Sequence, residues 1–501
     1  MNDRTSPRDR WARWWLHGLP PLDGRLRLGV YGALLLLALS MWKSPLRGVA
    51  LYAGTDPALF RPHGAIEALG FPWISAGVLI ALAALTGVSW LCAAIGLGGR
   101  WSAIITAAGA TTLHGYCWGT SAFNHNYTLP IYVLAALCFA APDPEWSCDA
   151  WIRRSLGWSE RSRTGLGATG FARMLALVFV VTFYFCAGIA KLQTSGLAWA
   201  DGHTIAWWSE EDVHERPAAA LLQEQKWLCA PLATLTLIFE VGAPLALFAR
   251  LRPIFVMGWI AMHAGILLIM GPRYYENIVC FALLFDWRAV RARGIAGLFA
   301  DPAAPAASWR SLPISARVAV ALGTAVVAGA LCVALLGVSW WPVSNIYMYS
   351  AYYSRDHGIR AGEPLEAYRD PVHAQRIARR FRDERLSFDA MEHLPRMAEL
   401  RLVSDGAPPL RLPAGVGAAS PKQWDLVVEL PVLVADLTHK PHGLIGAHHG
   451  GPDAPANRFL RDLLPVIRRS IAVWRDYERV ELVYELEEGL VAIGSAPLKE
   501  P

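Results

Sequence analysis

Charge is scarce in this chain. Only 17% of its 501 residues are Asp, Glu, Lys or Arg, whereas 54% are hydrophobic and 22 are Trp. Ordinary soluble domains carry about 25% charge, so the composition excludes that class and points to an integral membrane protein. Eight cysteines include no Cys-x-x-Cys pair, which removes the usual zinc and thioredoxin-like spacings. They read as small apolar packing residues, with a pairing of Cys117 and Cys229 left open. The formal net charge of +5 does not imply a nucleic-acid partner, because the arginines flank apolar runs and so set orientation in a bilayer. No internal repeat or paired broken helices are visible, which argues against a transporter. A cleavable signal is not expected, since the first apolar run follows a long Arg-rich segment without a small-residue cleavage site.

What is present is a series of apolar segments. Residues 1–27 are basic, with Arg4, Arg8, Arg10, Arg13, Arg25 and Arg27, and are expected to stay in the cytoplasm. Segments follow near 28–43, 73–96, 102–120, 127–142, 172–192, 229–249, 254–271, 275–287 and 315–341. The eighth is short against the roughly 17 residues a span needs. Counting it places Arg100, Arg153, Arg154, Arg161, Arg163, Arg250, Arg252, Arg288, Arg291 and Arg293 on the inside, as the positive-inside rule requires. The expected fold is therefore an all-α polytopic membrane bundle of about nine transmembrane helices over 28–341, followed by a small soluble α+β domain over 343–501. That domain is predicted to be extracytoplasmic. It reads as helices at 363–386 and 456–478, strands at 398–404, 424–436 and 479–486, and Pro/Gly-rich loops at 406–421 and 441–455.

Ionisable groups at membrane depth are costly and often functional. The segment 171–199 runs apolar from Met174 to Ala190 and delivers Lys191 to one interface, past Phe183, Tyr184 and Phe185. Gly188 leaves room for a neighbouring helix. Two readings stand for Lys191: a desolvated amine acting as a base, or a lysine snorkelling to the headgroups. Asn124, His125 and Tyr127 cluster where the fourth segment begins, and His125 is suited to move a proton. Glu240 lies within the sixth segment and His263 within the seventh, where each could satisfy the other or a nearby Trp or Tyr. Arg273, Tyr274, Tyr275, Glu276 and Asn277 read as a polar turn beyond the seventh. His439, His442, His448 and His449 match no tight ligand pattern, so no metal is expected. The acidic run 209–215 reads as a hydrated loop.

Taken in order, these motifs resemble vitamin K-dependent γ-glutamyl carboxylase and its bacterial relatives, the horizontally transferred transmembrane (HTTM) family. The resemblance covers roughly residues 25–290. It rests on Ala187–Leu192 with Gly196, Trp199, Asp201 and Gly202, on Asn124-His125-x-Tyr127, on an acidic residue in the next span like Glu240, and on a histidine after it like His263. The final span and Trp341–Ser350 resemble the family's exit into its soluble domain. The resemblance implies that Lys191 deprotonates reduced vitamin K, or a related menaquinol-like naphthoquinone. Oxygen then yields a strong base that takes a glutamate γ-proton before carbon dioxide adds, with His125 in the oxygenation half-reaction. Asn124, Tyr127, Tyr184, Glu240, His263 and Tyr274 would support the quinone pocket. The implied partners are the lipid bilayer, the quinone and an extracytoplasmic peptide, in a bacterial inner membrane. Two departures stand out: the 343–501 tail does not resemble the animal enzyme's lumenal region, and Ala190 replaces the first of two adjacent lysines. The alternative is a non-enzymatic maturation, immunity or peptide-binding partner.

Overall fold

The apolar runs become helices, but few are long enough to be spans. A computed structural model of the chain describes residues 6–41, 44–53, 66, 69–118, 125–141, 143–159, 165–211, 216–269, 271, 273–299, 309–336, 398–404, 407–411, 464, 477–486 and 489–498. In chain order the helices are α1 (Pro7–His17), α2 (Gly24–Ser40), α3 (Gly48–Ala53), α4 (Ala76–Ile95), α5 (Gly99–Trp118), α6 (Thr128–Leu137), α7 (Cys148–Ser155), α8 (Phe171–Ser195), α9 (His203–Glu211), α10 (Pro217–Glu224), α11 (Cys229–Val241), α12 (Arg252–Ile269), α13 (Tyr275–Phe281), α14 (Trp287–Arg293) and α15 (Ile314–Leu336). The chain divides into two units: Met1–Gly48, Gly77–His114 and Asn124–Tyr352 form one, and Val49–Ala76, Gly115–Phe123 and Tyr353–Pro501 the other.

Each of the nine predicted segments holds a helix. Among the described residues, three helices are long and apolar enough to cross a membrane: Ala76–Ile95, Phe171–Gln193 and Arg252–Ile269. The others fall short for local reasons. Helix α11 ends after 13 residues at Gly242, where Pro244 has no amide to continue it and a 3-10 turn, Ala243–Leu247, takes over. Helix α13 has 7 residues before a 3-10 turn, Ala282–Leu284, and Asp286 then caps α14 through the amides of Arg288 and Ala289. Helix α5 is long enough but polar. Thr106, Thr111 and Thr112 return their hydroxyls to carbonyls four residues back, which satisfies them where water is scarce.

Helix α8 is the centre of the first unit. Buried residues make up 72% of its apolar window, against 33% for α4 and 39% for α12. The outer helices therefore turn apolar side chains outward, such as Ile80, Leu85 and Val88 on α4 and Ile254, Met257 and Leu268 on α12. Apolar surface on this scale belongs against lipid.

Three arginines from the expected inside set and its flanks behave differently from orienting surface charges. Arg27, Arg173 and Arg252 are buried. Arg27 donates to the carbonyls of Ala94 and Trp146. Arg173 donates to Leu283, Pro20 and Phe285, and Arg252 to Ala246 and Leu284. They satisfy carbonyls left over where short helices end. The N-terminal segment 1–27, read as basic tail, contains α1, which buries Ala12, Trp15 and Leu16. Its Trp11 indole donates to Thr324 on α15 at 2.9 Å.

In the second unit, four antiparallel strands, β1 (Ala398–Ser404), β2 (Ala407–Arg411), β3 (Arg479–Leu486) and β4 (Gly489–Pro497), form a sheet in the order β2-β1-β3-β4. Strands β1 and β3 lie where the alternating sequence places them. Leu402 opposite Val480 is fully buried, as is Val480. Strand β2 corrects the reading of 406–421 as loop: Ala407–Arg411 extends with its prolines on an edge strand, where a missing amide is tolerated. The predicted elements at 363–386, 424–436 and most of 456–478, the 441–455 loop with its four histidines, and Trp341–Ser350 lie outside the described residues.

Candidate functional site: a buried lysine–glutamate pair

Three features of α8 and the turn after it build the site. At Gly188, an added Cβ would sit 2.7 Å from the amide nitrogen of Val241 and 2.9 Å from Cβ of Glu240. Only a glycine lets α8 and α11 approach this closely. Lys191 follows one turn later and meets Glu240, its Nζ 2.9 Å from Oε1 and 2.8 Å from Oε2. The 3-10 turn Gly196–Asp201 folds Trp199 back, so that its ring lies 5.1 Å from the ammonium, within cation–π range. Trp199 packs on Ala233 and Leu237 of α11, with Leu192 alongside. Gly202 adopts φ +87 against the backbone of Cys229 and Ala230, a conformation and a clearance that glycine alone supplies. Lys191 is 1% and Glu240 4% exposed. The snorkelling reading of Lys191 is thus corrected: the amine turns inward to a carboxylate instead of out to the headgroups.

A second polar pair lies about two turns down α8. The Tyr184 hydroxyl is 2.5 Å from Nε2 of His263. Tyr184 stacks on Trp259 at 4.5 Å, and the Trp259 indole donates to the Phe239 carbonyl at 3.0 Å. The Tyr274 ring lies 5.0 Å from the His263 ring. Glu240 and His263 therefore do not satisfy one another; each has its own partner on α8.

The histidine motif is only partly in view. Asn124 lies outside the described residues, and of His125 the backbone alone is described, at the start of a 3-10 turn, His125–Tyr127. Asn126 on that turn donates to the Arg273 carbonyl at 2.6 Å, and Tyr127 is buried. The expected polar turn at 273–277 needs correction. Arg273 and Tyr275 face outward, but Tyr274, Glu276 and Asn277 are buried, the last two at 0% exposure. The first turn of α13 carries both inward. A polar pair flanking two tyrosines gave no periodic signal of burial, so Glu276 and Asn277 were not legible as site residues. None of the eight cysteines is in a disulfide, and no cluster of metal-ligating side chains occurs among the described residues.

Fold and site together define a helical membrane protein with a buried ion pair at one end of its central helix. Residues 55–287 match the family model of the HTTM domain. Over these residues the chain is similar to the HTTM domain. No curated protein and no solved structure matches the chain.

Proposed function

We propose that the chain is a vitamin K-dependent γ-carboxylase-like enzyme of a bacterial inner membrane, with a cytoplasmic N-terminus and an extracytoplasmic 343–501 domain. It couples oxygenation of a reduced quinone to carboxylation, or other carbanion chemistry, of a glutamate on an extracytoplasmic peptide. The observation that carries this reading is the buried Lys191–Glu240 pair beside Trp199. A buried amine among aromatic rings fits a flat, lipid-soluble phenol that arrives through the bilayer. A bound reduced naphthoquinone would supply the phenolic proton and the electrons for oxygen.

The chain's own part is proton handling. Lys191 takes the incoming proton as a free amine once its own has passed to Glu240, so the two titrate as one unit. On accepting one proton the pair goes from net neutral to net positive. That charge would favour an anionic oxygen held beside the pair. Near-complete burial keeps bulk water from competing for the base. His125 and Asn124 complete the oxygenation site in this proposal, with Tyr127, Tyr184, His263 and Tyr274 shaping the pocket.

The test uses the full chain in lipid nanodiscs with a reduced naphthoquinone and oxygen, and reads quinone epoxide by chromatography. Wild type should form epoxide and Lys191→Ala should not. A second reading has its own observation. Because Lys191 reaches both oxygens of Glu240, the pair also serves to tie α8 to α11, as a non-enzymatic peptide-binding partner would need. That reading predicts no epoxide from either protein.

A further inference from the structure

Glu276 and Asn277 have no part in the chemistry above, yet both are fully buried. Neither oxygen of Glu276, nor either polar atom of Asn277, has a hydrogen bond of good geometry among the described residues. The same holds for the hydroxyls of Tyr127 and Thr128. Two groups face the Glu276 carboxyl: the Tyr127 hydroxyl from the His125–Tyr127 turn, and Cys280 one turn along α13. Glu240 has a lysine at 2.8 Å; Glu276 has no cation among these neighbours.

Helix lengths set the depth of this group. The stretch Tyr275–Leu284 advances only about 15 Å, half of a hydrocarbon core of about 30 Å. Its far end is held level with the first turns of α8 and α12, because Arg173 and Arg252 bind the carbonyls of Leu283, Leu284 and Phe285. Its near end therefore lies about midway along those helices, where Tyr274 meets His263. Helix α6 is matched to it. Phe139, just past its end, packs on Phe171 at 5.4 Å, and Tyr132 on Phe179 at 5.6 Å, which brings Tyr127 about level with Tyr184. Two half-length helices thus start at mid-depth and bring Tyr127, Thr128, Glu276 and Asn277 together there.

An ionised carboxylate in such a place, without a counter-ion, is strongly disfavoured. We propose that Glu276 is a neutral carboxylic acid, held at mid-depth to exchange a hydrogen bond with the Tyr127 hydroxyl. A protonated carboxyl is suited to this, since it accepts at its carbonyl oxygen and donates from its hydroxyl. The carboxyl faces the Tyr127 hydroxyl, and its protonation state does not rest on the proposed base.

Infrared difference spectroscopy of the full chain in nanodiscs at neutral pH tests this. Wild type should give a protonated-carboxyl band that moves in deuterium oxide. Glu276→Gln should remove it, Glu276→Asp should displace it and Glu240→Gln should leave it in place. A wild type without the band, or a band unchanged in both Glu276 variants, overturns the neutral acid. Absence of epoxide in the assay above would remove Lys191 as base and leave the band as it is.

Discussion

Lys191 and Glu240 are joined as a buried ion pair. Replacing Glu240 with Gln leaves a buried ammonium without its counter-charge, which should cost about 3–5 kcal/mol. A denaturant or thermal unfolding midpoint in detergent would register that loss. Removing both charges together, as Lys191→Met with Glu240→Leu, should restore most of the stability, because a well-packed apolar pair replaces a desolvated ionic one. A double variant as unstable as Glu240→Gln would show that the ion pair itself holds the helices. The lysine was legible in the sequence through its motif, and Glu240 and His263 through their isolation in apolar runs. Their partners were not, because the pattern along one helix does not say which neighbour it faces. Glu276 was misread for the same reason: next to Arg273 and Tyr275, which do face outward, it looked like part of a polar turn.

At the scale of elements, the close crossing of α8 and α11 depends on Gly188. Gly188→Ala should push the helices apart and cost about 1–3 kcal/mol through overpacking, lowering the unfolding midpoint; an unchanged midpoint would mean the crossing yields without cost. Helix α1 makes a separate prediction. Asp9 accepts the Trp309 amide at 2.6 Å and the Ser6 hydroxyl at 2.7 Å, and these bonds, the Trp309 amide foremost, hold its carboxyl below the ordinary value of 3.8. A depressed acid stabilises the folded state above its unfolded value and loses that contribution as pH falls through the folded one. Docking of α1 should therefore weaken only below about pH 4, read as rising proteolysis near residue 20, and Asp9→Asn should remove the dependence. The helices within the apolar runs were legible, since such runs are a strong signal; short polar helices such as α1, α7 and α9 were not. Helix length was not, because Gly242, Pro244 and the capping Asp286 interrupt runs that hydropathy alone continues.

For the whole molecule, the account requires the ends of α8 to lie on opposite sides of a bilayer. Trp158, before its start, and Leu197, after its end, are both exposed. A single cysteine at each position, in a background without the eight native ones, should react with an impermeant reagent from opposite faces, Trp158→Cys from the cytoplasmic side. Labelling of both from one side would contradict a spanning α8. The sequence pattern made the membrane class legible through scarce charge and apolar runs, and the HTTM match over 55–287 agrees with it. Among the described residues of the tail, β1 and β3 were legible, since alternation marks a strand, whereas at β2 two prolines masked an edge strand.

The central claim is that Lys191 gives up and regains a proton, and Lys191→Arg tests it most directly. A guanidinium keeps the positive charge opposite Glu240 but does not deprotonate in a protein. The account predicts a folded Lys191→Arg protein, with an unfolding midpoint near that of wild type, that forms no quinone epoxide in nanodiscs where wild type does. Epoxide formed by Lys191→Arg at the wild-type rate would show that the residue supplies charge alone, and would contradict its role as the base.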